Sequence, residues 1–197
     1  MTFGGALFSN SSDELADQNA WRTPPEVWEP LFDHFNFGLD AAADCRNHLC
    51  DRWLGVGSPL YSDALAAHWH AFIPPQEDVW NNPPYGRGVG KWVEHAAESG
   101  QYVRVVQLIF ARTDTLWWHD VVLERAVEIV HLRGRVTFLG TDGQPLRDSK
   151  GRVQTATAPS ALVIFQPHDE LTPAPSFSAW EPGTQFHQRR RYPRYNR

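Results

Sequence analysis

The chain has 197 residues, enough for one sizeable core and too few for a second full domain. Apolar residues make up 42% of it, with nine Trp and eleven Phe, and this composition excludes a disordered chain. It contains no run of about 18 apolar residues, and the single pair Cys45 and Cys50 gives no disulfide framework. We therefore expect a soluble, cytoplasmic protein without a membrane span.

Charge is divided unevenly along the chain. The formal net charge is −5, but residues 1–188 carry 13 basic and 23 acidic side chains, whereas the last nine residues hold five Arg and no acid. An acidic body binds phosphate backbones poorly, so contact with a nucleic acid would come from local clusters or from the terminal arginines, which include Arg189, Arg190 and Arg191. The alternative for that end is a solubilising tail with no specific role.

Composition and pattern divide the chain into three parts. Residues 1–20 are polar and lack a sustained period, so we predict a flexible leader. Residues 21–165 are predicted to form the folded domain. From residue 166 to 197, prolines and the Arg cluster favour an extended, largely unpacked tail.

The first predicted helix begins within Thr23-Pro24-Pro25-Glu26. Thr23 is a capping type of residue, the prolines suit the first helical positions, and Glu26 comes three residues after the cap. Val27 and Leu31 then fall on one helical face, and Pro30 is expected to kink or shorten the helix.

A short strand and an irregular segment follow. Phe37 to Asp40 is predicted to be a strand, and residues 44–76 show no clear period apart from one short helix near Ala64. Asp78-Val79-Trp80 predicts a second strand that stops at the prolines, and apolar residues from Val89 to Ser99 recur at helical spacing.

The second half of the folded domain alternates strands with one further helix. That helix is predicted to open at Asp114 and to carry Leu116, Trp117 and Val121 inward. The predicted strands are Tyr102 to Phe110, Val127 to Leu132, Gly134 to Phe138 and Ala161 to Phe165, with a turn at Thr141-Asp142-Gly143 before the last one. This order predicts an α/β fold with a mixed sheet covered on both faces and antiparallel closing strands. In such sheets ligands bind at the carboxyl ends of strands, where Asp40 and Asn82 fall.

The segment Asn82-Pro83-Pro84-Tyr85 carries the most specific chemistry. An exocyclic amine is a weak nucleophile, and a catalyst must accept its hydrogens while holding it in line with a methyl donor. The Asn82 side-chain carbonyl and the rigidly held Pro83 carbonyl offer two acceptors, and Tyr85 offers a flat face for a base rotated out of a duplex. The alternative is a simple strand-ending turn. A cytosine C5 methyltransferase would need a thiol following a proline, and neither cysteine has that context.

Further segments form an ordered set with this loop. They are Trp21-Arg22-Thr23-Pro24, Leu39-Asp40-Ala41-Ala42-Ala43, Asp63-Ala64-Leu65 with Trp69, Val79-Trp80 leading into the loop and Gly86, Ala111-Arg112-Thr113-Asp114-Thr115 with Trp117, and Gly134-Arg135-Val136 with Phe138. Together they resemble the phage N6-adenine DNA methyltransferase family, often described as Dam-like. The resemblance covers about residues 21–165.

The resemblance implies a three-layer α/β/α Rossmann-like methyltransferase fold and methyl transfer from S-adenosylmethionine to N6 of adenine in DNA. It implies a phage or prophage protein acting in a bacterial host. The catalytic residues would be Asn82, Pro83, Pro84 and Tyr85, and the cofactor site would contain Trp21, Thr23, Pro24, Asp40, Ala41 and Asp63. The chain departs from the usual pattern in having Ala41-Ala42-Ala43 in place of a Gly-rich turn, and Asn81 in place of an apolar residue.

Several of these residues have a structural alternative. Asp40 could bind the methionine amino group or merely cap a turn, and Asp63 could hold the cofactor or cap a helix, with Asp51 as its competitor. Arg112, Arg133 and Arg135 are expected to contact DNA phosphates, and their alternative is surface ion pairing with Asp114, Glu124 or Glu128. The Cys and His residues match no compact zinc motif, so no metal is expected.

Two other functions fit parts of the pattern. The same loop would serve another planar amine or amide, such as a protein glutamine or a guanine in RNA. A catalytically idle nucleic-acid-binding protein would fit the missing glycines after Asp40. No segment stands out as a recognition domain, so the chain suggests a short target site, weak sequence selectivity, or help from a protein partner or an oligomer.

Overall fold

A computed structural model of the protein describes residues 21–167 and 174–186. The predicted leader over residues 1–20 and the arginines Arg189, Arg190 and Arg191 lie outside these ranges. Within the described part, the centre of the fold is a six-stranded mixed sheet.

The six strands lie in the order β1-β2-β3-β5-β4-β6. Their bounds are Phe37–Asp40 for β1, Asp78–Asn81 for β2, Val105–Phe110 for β3, Glu128–Leu132 for β4, Ser160–Phe165 for β5 and Ser176–Trp180 for β6. Strands β1, β2 and β3 pair in parallel, β5 runs antiparallel to β3 and β4, and β6 is parallel to β4. The carboxyl ends of every strand but β5 therefore meet at one edge of the sheet, which we call the carboxyl edge.

Helices cover both faces of this sheet. Helix α1 spans Pro25–Phe32 and α2 spans Val89–Ser99, while a π-helix at Trp118–Val122 continues into the short α3 at Leu123–Arg125. Two 3₁₀-helices, Ala64–Ala66 and Trp69–Phe72, lie in the irregular segment, which was predicted to hold only one short helix.

Alternating side chains divide the core into two layers. Val79 and Val105 face the layer that packs under α2 and the π-helix, whereas Trp80 and Val106 face the layer that packs against α1. Because successive strand residues point to opposite faces, each central strand is apolar throughout and buried on both sides. The predicted α/β/α fold with a mixed sheet is confirmed.

The beginning of α1 differs from the prediction. Pro24, rather than Thr23, is the N-cap residue, and it makes no side-chain capping hydrogen bond. The hydroxyl of Thr23 is instead directed to the side chain of Asn82. Pro30 lies inside this helix of 8 residues, which ends at Phe32, as the prediction of a shortened helix requires.

Leu116 was wrongly predicted to point inward, since 81% of its surface is exposed. The buried residues Trp118, Val121 and Val122 define the inward face of this helical segment. Leu116, two residues before Trp118, falls on the opposite side.

The predicted strand from Gly134 to Phe138 is also wrong. Val136 and Phe138 are buried in alternation, which explains the pattern, but their carbonyl groups accept from Ala156 and Leu146 rather than from a strand of the sheet. This segment and its return strand form an irregular hairpin beside the sheet. Tyr102 to Arg104 likewise precede β3 and do not belong to it.

The prediction of an unpacked segment after residue 165 fails for residues 174–186. β6 adds a strand beside β4, Trp180 is 5% exposed and Phe186 is 2% exposed. This edge strand contains serines and is flanked by prolines, so it has no apolar run from which a strand could be predicted. No helix of the described residues combines the length and the apolar character that spanning a membrane requires.

We expect Trp180→Ala to lower the free energy of unfolding by about 3–5 kcal/mol, because it removes a buried aromatic side chain. The matched control is Phe177→Ala on the same strand, where 46% of the side chain is exposed and the expected loss is about 1 kcal/mol or less. Urea unfolding of both variants measures the difference. Equal, small losses would mean that β6 does not pack as described.

Candidate active site

The segment Asn82-Pro83-Pro84-Tyr85 leaves the carboxyl edge directly after β2. Strands β1 and β3, on either side, end at Asp40 and Phe110, so loops from three parallel strands converge here. Pro83 is buried, and because neither proline has an N–H group the segment cannot continue the ladder of β2. The position is the one at which α/β sheets bind ligands.

A cavity of about 450 Å³ opens beside this loop. Its walls come from the loop itself, from the turn after β1, from the irregular segment and from two tryptophans. The lining residues are Trp21, Ala42, Ala43, Asp44, Cys45, Arg46, Asn47, Leu54, Gly55, Val56, Ser62, Asp63, Ala64, Asn82, Pro83, Pro84, Tyr85 and Trp92. The volume lies within the range of about 300–1,000 Å³ that is typical of small-molecule sites.

The side chain of Asn82 is held in one orientation. Its Nδ2 donates to Oγ1 of Thr23 over 3.1 Å. Its Oδ1 is buried and has no hydrogen-bond partner among the described residues. A buried carbonyl without a donor is unfavourable, so this atom is prepared to accept a hydrogen bond from a molecule in the cavity.

The preceding residue, Asn81, is fully buried where an apolar residue was expected. Its Oδ1 accepts a hydrogen bond of 2.6 Å from Nε2 of Gln107 on the neighbouring strand, and that same nitrogen also lies 3.1 Å from the carbonyl oxygen of Trp92. These contacts connect β2, β3 and α2 behind the loop. The polar residue is thus accommodated without a change in the pairing of β2.

Tyr85 belongs to an aromatic cluster at the mouth of the cavity. Its ring centroid lies 4.3 Å from that of Phe110, 5.2 Å from that of Phe138 and 5.8 Å from that of Trp21. Its hydroxyl donates to the carbonyl oxygen of Leu108 over 3.2 Å, and burial raises the pKa of this hydroxyl well above its usual value. The phenol therefore stays neutral, and its ring orientation is fixed.

The residues predicted for cofactor binding divide into two groups. Trp21 and Asp63 line the cavity. Asp63 also caps the first 3₁₀-helix by accepting a hydrogen bond from the backbone N–H of Leu65. Asp51, the alternative candidate for the cofactor contact, is not in the lining. The others are buried, do not line the cavity and therefore support it from behind: Thr23, Pro24, Asp40 and Ala41.

Asp40 organises the turn after β1. One carboxylate oxygen accepts from the backbone N–H of Ala42 over 3.2 Å, and the other accepts from that of Leu49 over 3.0 Å. The turn-capping alternative therefore describes its contacts in the structure. Burial raises the pKa of this carboxyl group to about 6, against which the two backbone hydrogen bonds act.

Sequence reasoning missed the glycine that opens the cavity. Gly55 has φ of +135°, and a Cβ at this position would overlap the carbonyl oxygen of Ala43. The close backbone approach expected from a Gly-rich turn after Asp40 is provided by Gly55, from the strand-like segment that pairs with Asp40 at Trp53. In the sequence, Gly55 is one of several glycines in a segment without a hydrophobic period, so nothing there distinguishes it.

Comparison with known proteins bears on these observations. A family model described as DNA N-6-adenine-methyltransferase (Dam) matches residues 9–184. The chain belongs to the Dam family. No curated protein matches it. The family match extends past residue 165, in agreement with the place of β6 in the sheet.

A second cavity of about 380 Å³ adjoins the first in this Dam-family site, since Tyr85 lines both. Gly86, Arg87, Val89, Phe110, Arg112, Thr115 and Trp117 complete its lining. Arg87 was not among the predicted site residues, although it lies only two positions after Tyr85 in the sequence.

The predicted DNA-contacting arginines of the described chain are all exposed and follow strands at the carboxyl edge. The guanidinium of Arg112 lies 6.0 Å from the ring centroid of Phe110, and Arg112 and Arg135 form no ion pair with described residues. Arg133 pairs with Glu181 over 3.2 Å, an acid that sequence reasoning did not name. Because both partners are largely exposed, this pair is weak and can exchange for a phosphate.

The buried Asp40 makes a pH-dependent contribution to stability. Its pKa rises from 3.8 to about 6 on folding, so the folded protein binds this proton more tightly than the unfolded chain does. The contribution is present in full below pH 3.8 and is lost as the pH rises through about 6.

We therefore compare the unfolding free energy of the wild type with that of Asp40→Asn. The wild-type value, relative to that of the variant, should decrease between pH 4 and pH 6.5. The decrease should reach up to about 3 kcal/mol, at about 1.36 kcal/mol per pKa unit. Urea titrations of both proteins across this range provide the comparison, in which the contributions of other acids cancel. A constant difference would show that Asp40 keeps an ordinary pKa.

Proposed function

We propose that the protein transfers a methyl group from S-adenosylmethionine to N6 of adenine in DNA. The observation that carries this proposal is the state of Asn82, whose amide nitrogen is held by Thr23 while its carbonyl oxygen is buried without a donor. An exocyclic amino group is the kind of donor that this oxygen requires. Membership in the Dam family makes the N6 amino group of adenine the preferred candidate.

The loop would act by positioning the amine. The lone pair of an exocyclic amine is delocalised into the ring, and hydrogen bonds from its N–H groups to two carbonyl oxygens favour the geometry in which the lone pair points at the methyl group. Asn82 supplies one acceptor, and Pro83, buried and fixed in φ, supplies the backbone carbonyl of the second. Held by these two acceptors, the amine nitrogen would be in line with the methyl donor, so that the new bond to nitrogen could form as the bond from the methyl carbon to sulfur breaks, and the amine would lose one proton to solvent.

The first cavity suits the cofactor. S-adenosylmethionine, when bound, supplies a methyl group activated by a positively charged sulfur. Asp63 and Asp44 bring carboxylates to the wall for hydroxyl and ammonium groups, and Leu54, Val56 and Trp92 give apolar surface for a purine. Gly55 allows the backbone of this wall to lie close to the carbonyl oxygen of Ala43, which a Cβ would overlap. Asp40 would act through the turn that it holds, because its own oxygens are engaged by backbone N–H groups.

The target base would enter beside Tyr85. A base in a duplex hides its amino group in the stack, so the enzyme must rotate it out. The aromatic cluster around Tyr85 lies at the mouth of the cavity that contains Asn82, and aromatic faces stack with any base. We propose Arg112, Arg133 and Arg135 as phosphate contacts, because they follow β3 and β4 at the same edge.

The competing functions make different demands. A catalytically idle binder was suggested by the missing glycines after Asp40, and Gly55 meets that steric requirement. Transfer to a protein glutamine or an RNA guanine would use the same acceptors, so the substrate must be tested directly.

We expect the purified protein to label DNA from radioactive S-adenosylmethionine, with the label recovered as N6-methyladenine, and to leave RNA and protein unlabelled. Asn82→Ala should lower the rate by about 10²-fold or more with little change in cofactor affinity, because it removes one positioned polar group. The control is Asn36→Ala, an exposed asparagine that precedes β1 at the opposite edge. Label in RNA or protein alone, or full activity of Asn82→Ala, would contradict the proposal.

Thr23 is proposed as a positioning residue that acts through Asn82. Thr23→Val keeps the shape but removes the acceptor for Nδ2, so kcat should decrease by about 2- to 10-fold, the equivalent of one net hydrogen bond. Thr23→Ser should restore the rate, and cofactor affinity should stay unchanged in both variants. A loss of cofactor affinity equal to the loss of rate would instead assign Thr23 to the cofactor site.

A further inference from the structure

Leu116 is the most exposed of the large apolar side chains in the described chain, at 81%. It is the first residue of the helical segment that follows β3 at the carboxyl edge, and it lies between Thr115 and Trp117. Both of these neighbours line the second cavity together with Tyr85 of the catalytic loop. An apolar side chain is thus presented to solvent immediately beside the site where the target base is proposed to enter.

The loop that presents Leu116 is held firmly. The hydroxyl of Thr115 donates to the carbonyl oxygen of Arg112 over 2.8 Å, and the imidazole Nε2 of His119 lies 2.8 Å from the carbonyl oxygen of Thr113. On its other side, Trp118 is buried in the core at 2% exposure. The exposed leucine therefore belongs to an ordered segment. Its insertion into another molecule would require little further loss of conformational entropy.

Other exposed apolar residues have a different setting. Val56 is 77% exposed and lines the cavity assigned to the cofactor. Tyr102 is 60% exposed, but it precedes β3 at the opposite edge and stacks on His70 with ring centroids 4.2 Å apart. Neither is placed to meet DNA beside Tyr85.

Positive charge flanks Leu116. Arg87 and Arg112 line the second cavity, and neither forms an ion pair with the described residues. Two exposed guanidinium groups in the lining of the cavity next to Leu116 suit a duplex, in which phosphates border an apolar stack of bases.

We propose that Leu116 inserts into the DNA duplex and fills the space that the target adenine leaves when it rotates into the catalytic cavity. This inference rests on the proposed function. Extrusion of a base costs its stacking and pairing energy, and an apolar side chain between the remaining bases replaces part of the lost stacking. Leu116 is exposed in the free protein because its partner surface exists only in the complex.

The test compares two synthetic duplexes that carry the protein's own target sequence, located beforehand by methylation-sensitive sequencing of DNA from expressing cells. One duplex is fully paired, and in the other the target adenine is a single-base bulge with no nucleotide opposite it, so that the flanking base pairs can stack on each other when it rotates out and leave no gap to fill. Leu116→Ala should lower kcat/KM by about tenfold or more on the paired duplex and by less than about twofold on the other. Leu116→Met, which keeps an apolar tip, should remain near the wild-type rate on both.

Leu60→Ala, the same change at another exposed leucine, is the control and should leave both rates unaltered. Because Leu116 makes little contact with the core, its substitution should not alter the thermal unfolding of the protein. Equal losses on the two duplexes, or no loss on the paired one, would overturn the inference while the proposed function stands. A wild-type protein that methylates neither duplex would overturn both.

Discussion

One hydrogen bond, from Nδ2 of Asn82 to Oγ1 of Thr23, determines how the proposed catalytic loop orients the amide of Asn82. The two residues are 59 positions apart, so the bond exists only because the fold joins the segment before α1 to the end of β2. The antiparallel bridge between Arg22 and Leu139 fixes the first segment, and the parallel pairing of β2 fixes the second. The orientation of one acceptor oxygen thus depends on the whole sheet.

Elements whose burial follows one regular period could be predicted from sequence. β1, α2 and β5 lie almost where apolar alternation, helical spacing and continuous apolar runs indicate. The failures occur where the helical face was assigned in the wrong phase or where tertiary contacts decide the outcome. Leu116 lies on the outer side of the segment that buries Trp118 and Val122, buried Val136 and Phe138 alternate without joining the sheet, and β6 gains its burial from β4 rather than from its own apolar residues.

The residues of the candidate site also divide into those that could be predicted from sequence and those that could not. The chemistry proposed for Asn82 to Tyr85 depends on neighbouring residues of one short segment, so a four-residue motif was enough to suggest it. The opposite wall of the cavity is built from residues 42–47, 54–56 and 62–64, whose conformation depends on backbone hydrogen bonds such as Leu54 to Asp40 and on the positive φ of Gly55. No periodic signal accompanies such contacts. The role of Thr23 was equally hidden, because its pattern also fits a helix cap, and only the packing of α1 shows that Pro24 occupies the cap.

A negative net charge is compatible with this site because the charges are separated in space. The ion pairs of Asp78 with Arg104 and of Glu77 with Arg52 lie at the amino end of β2, whereas Arg87 and Arg112 lie beyond its carboxyl end. Four strand residues span about 13 Å, which exceeds the Debye length of about 10 Å at 0.1 M salt. A phosphate backbone laid beside Arg87 and Arg112 is therefore attracted by these two arginines, while the carboxylates of Asp78 and Glu77 are remote, paired and screened. Since this attraction acts only at short range, it favours DNA whose backbone is already seated over Tyr85 and Leu116, the arrangement that base extrusion requires.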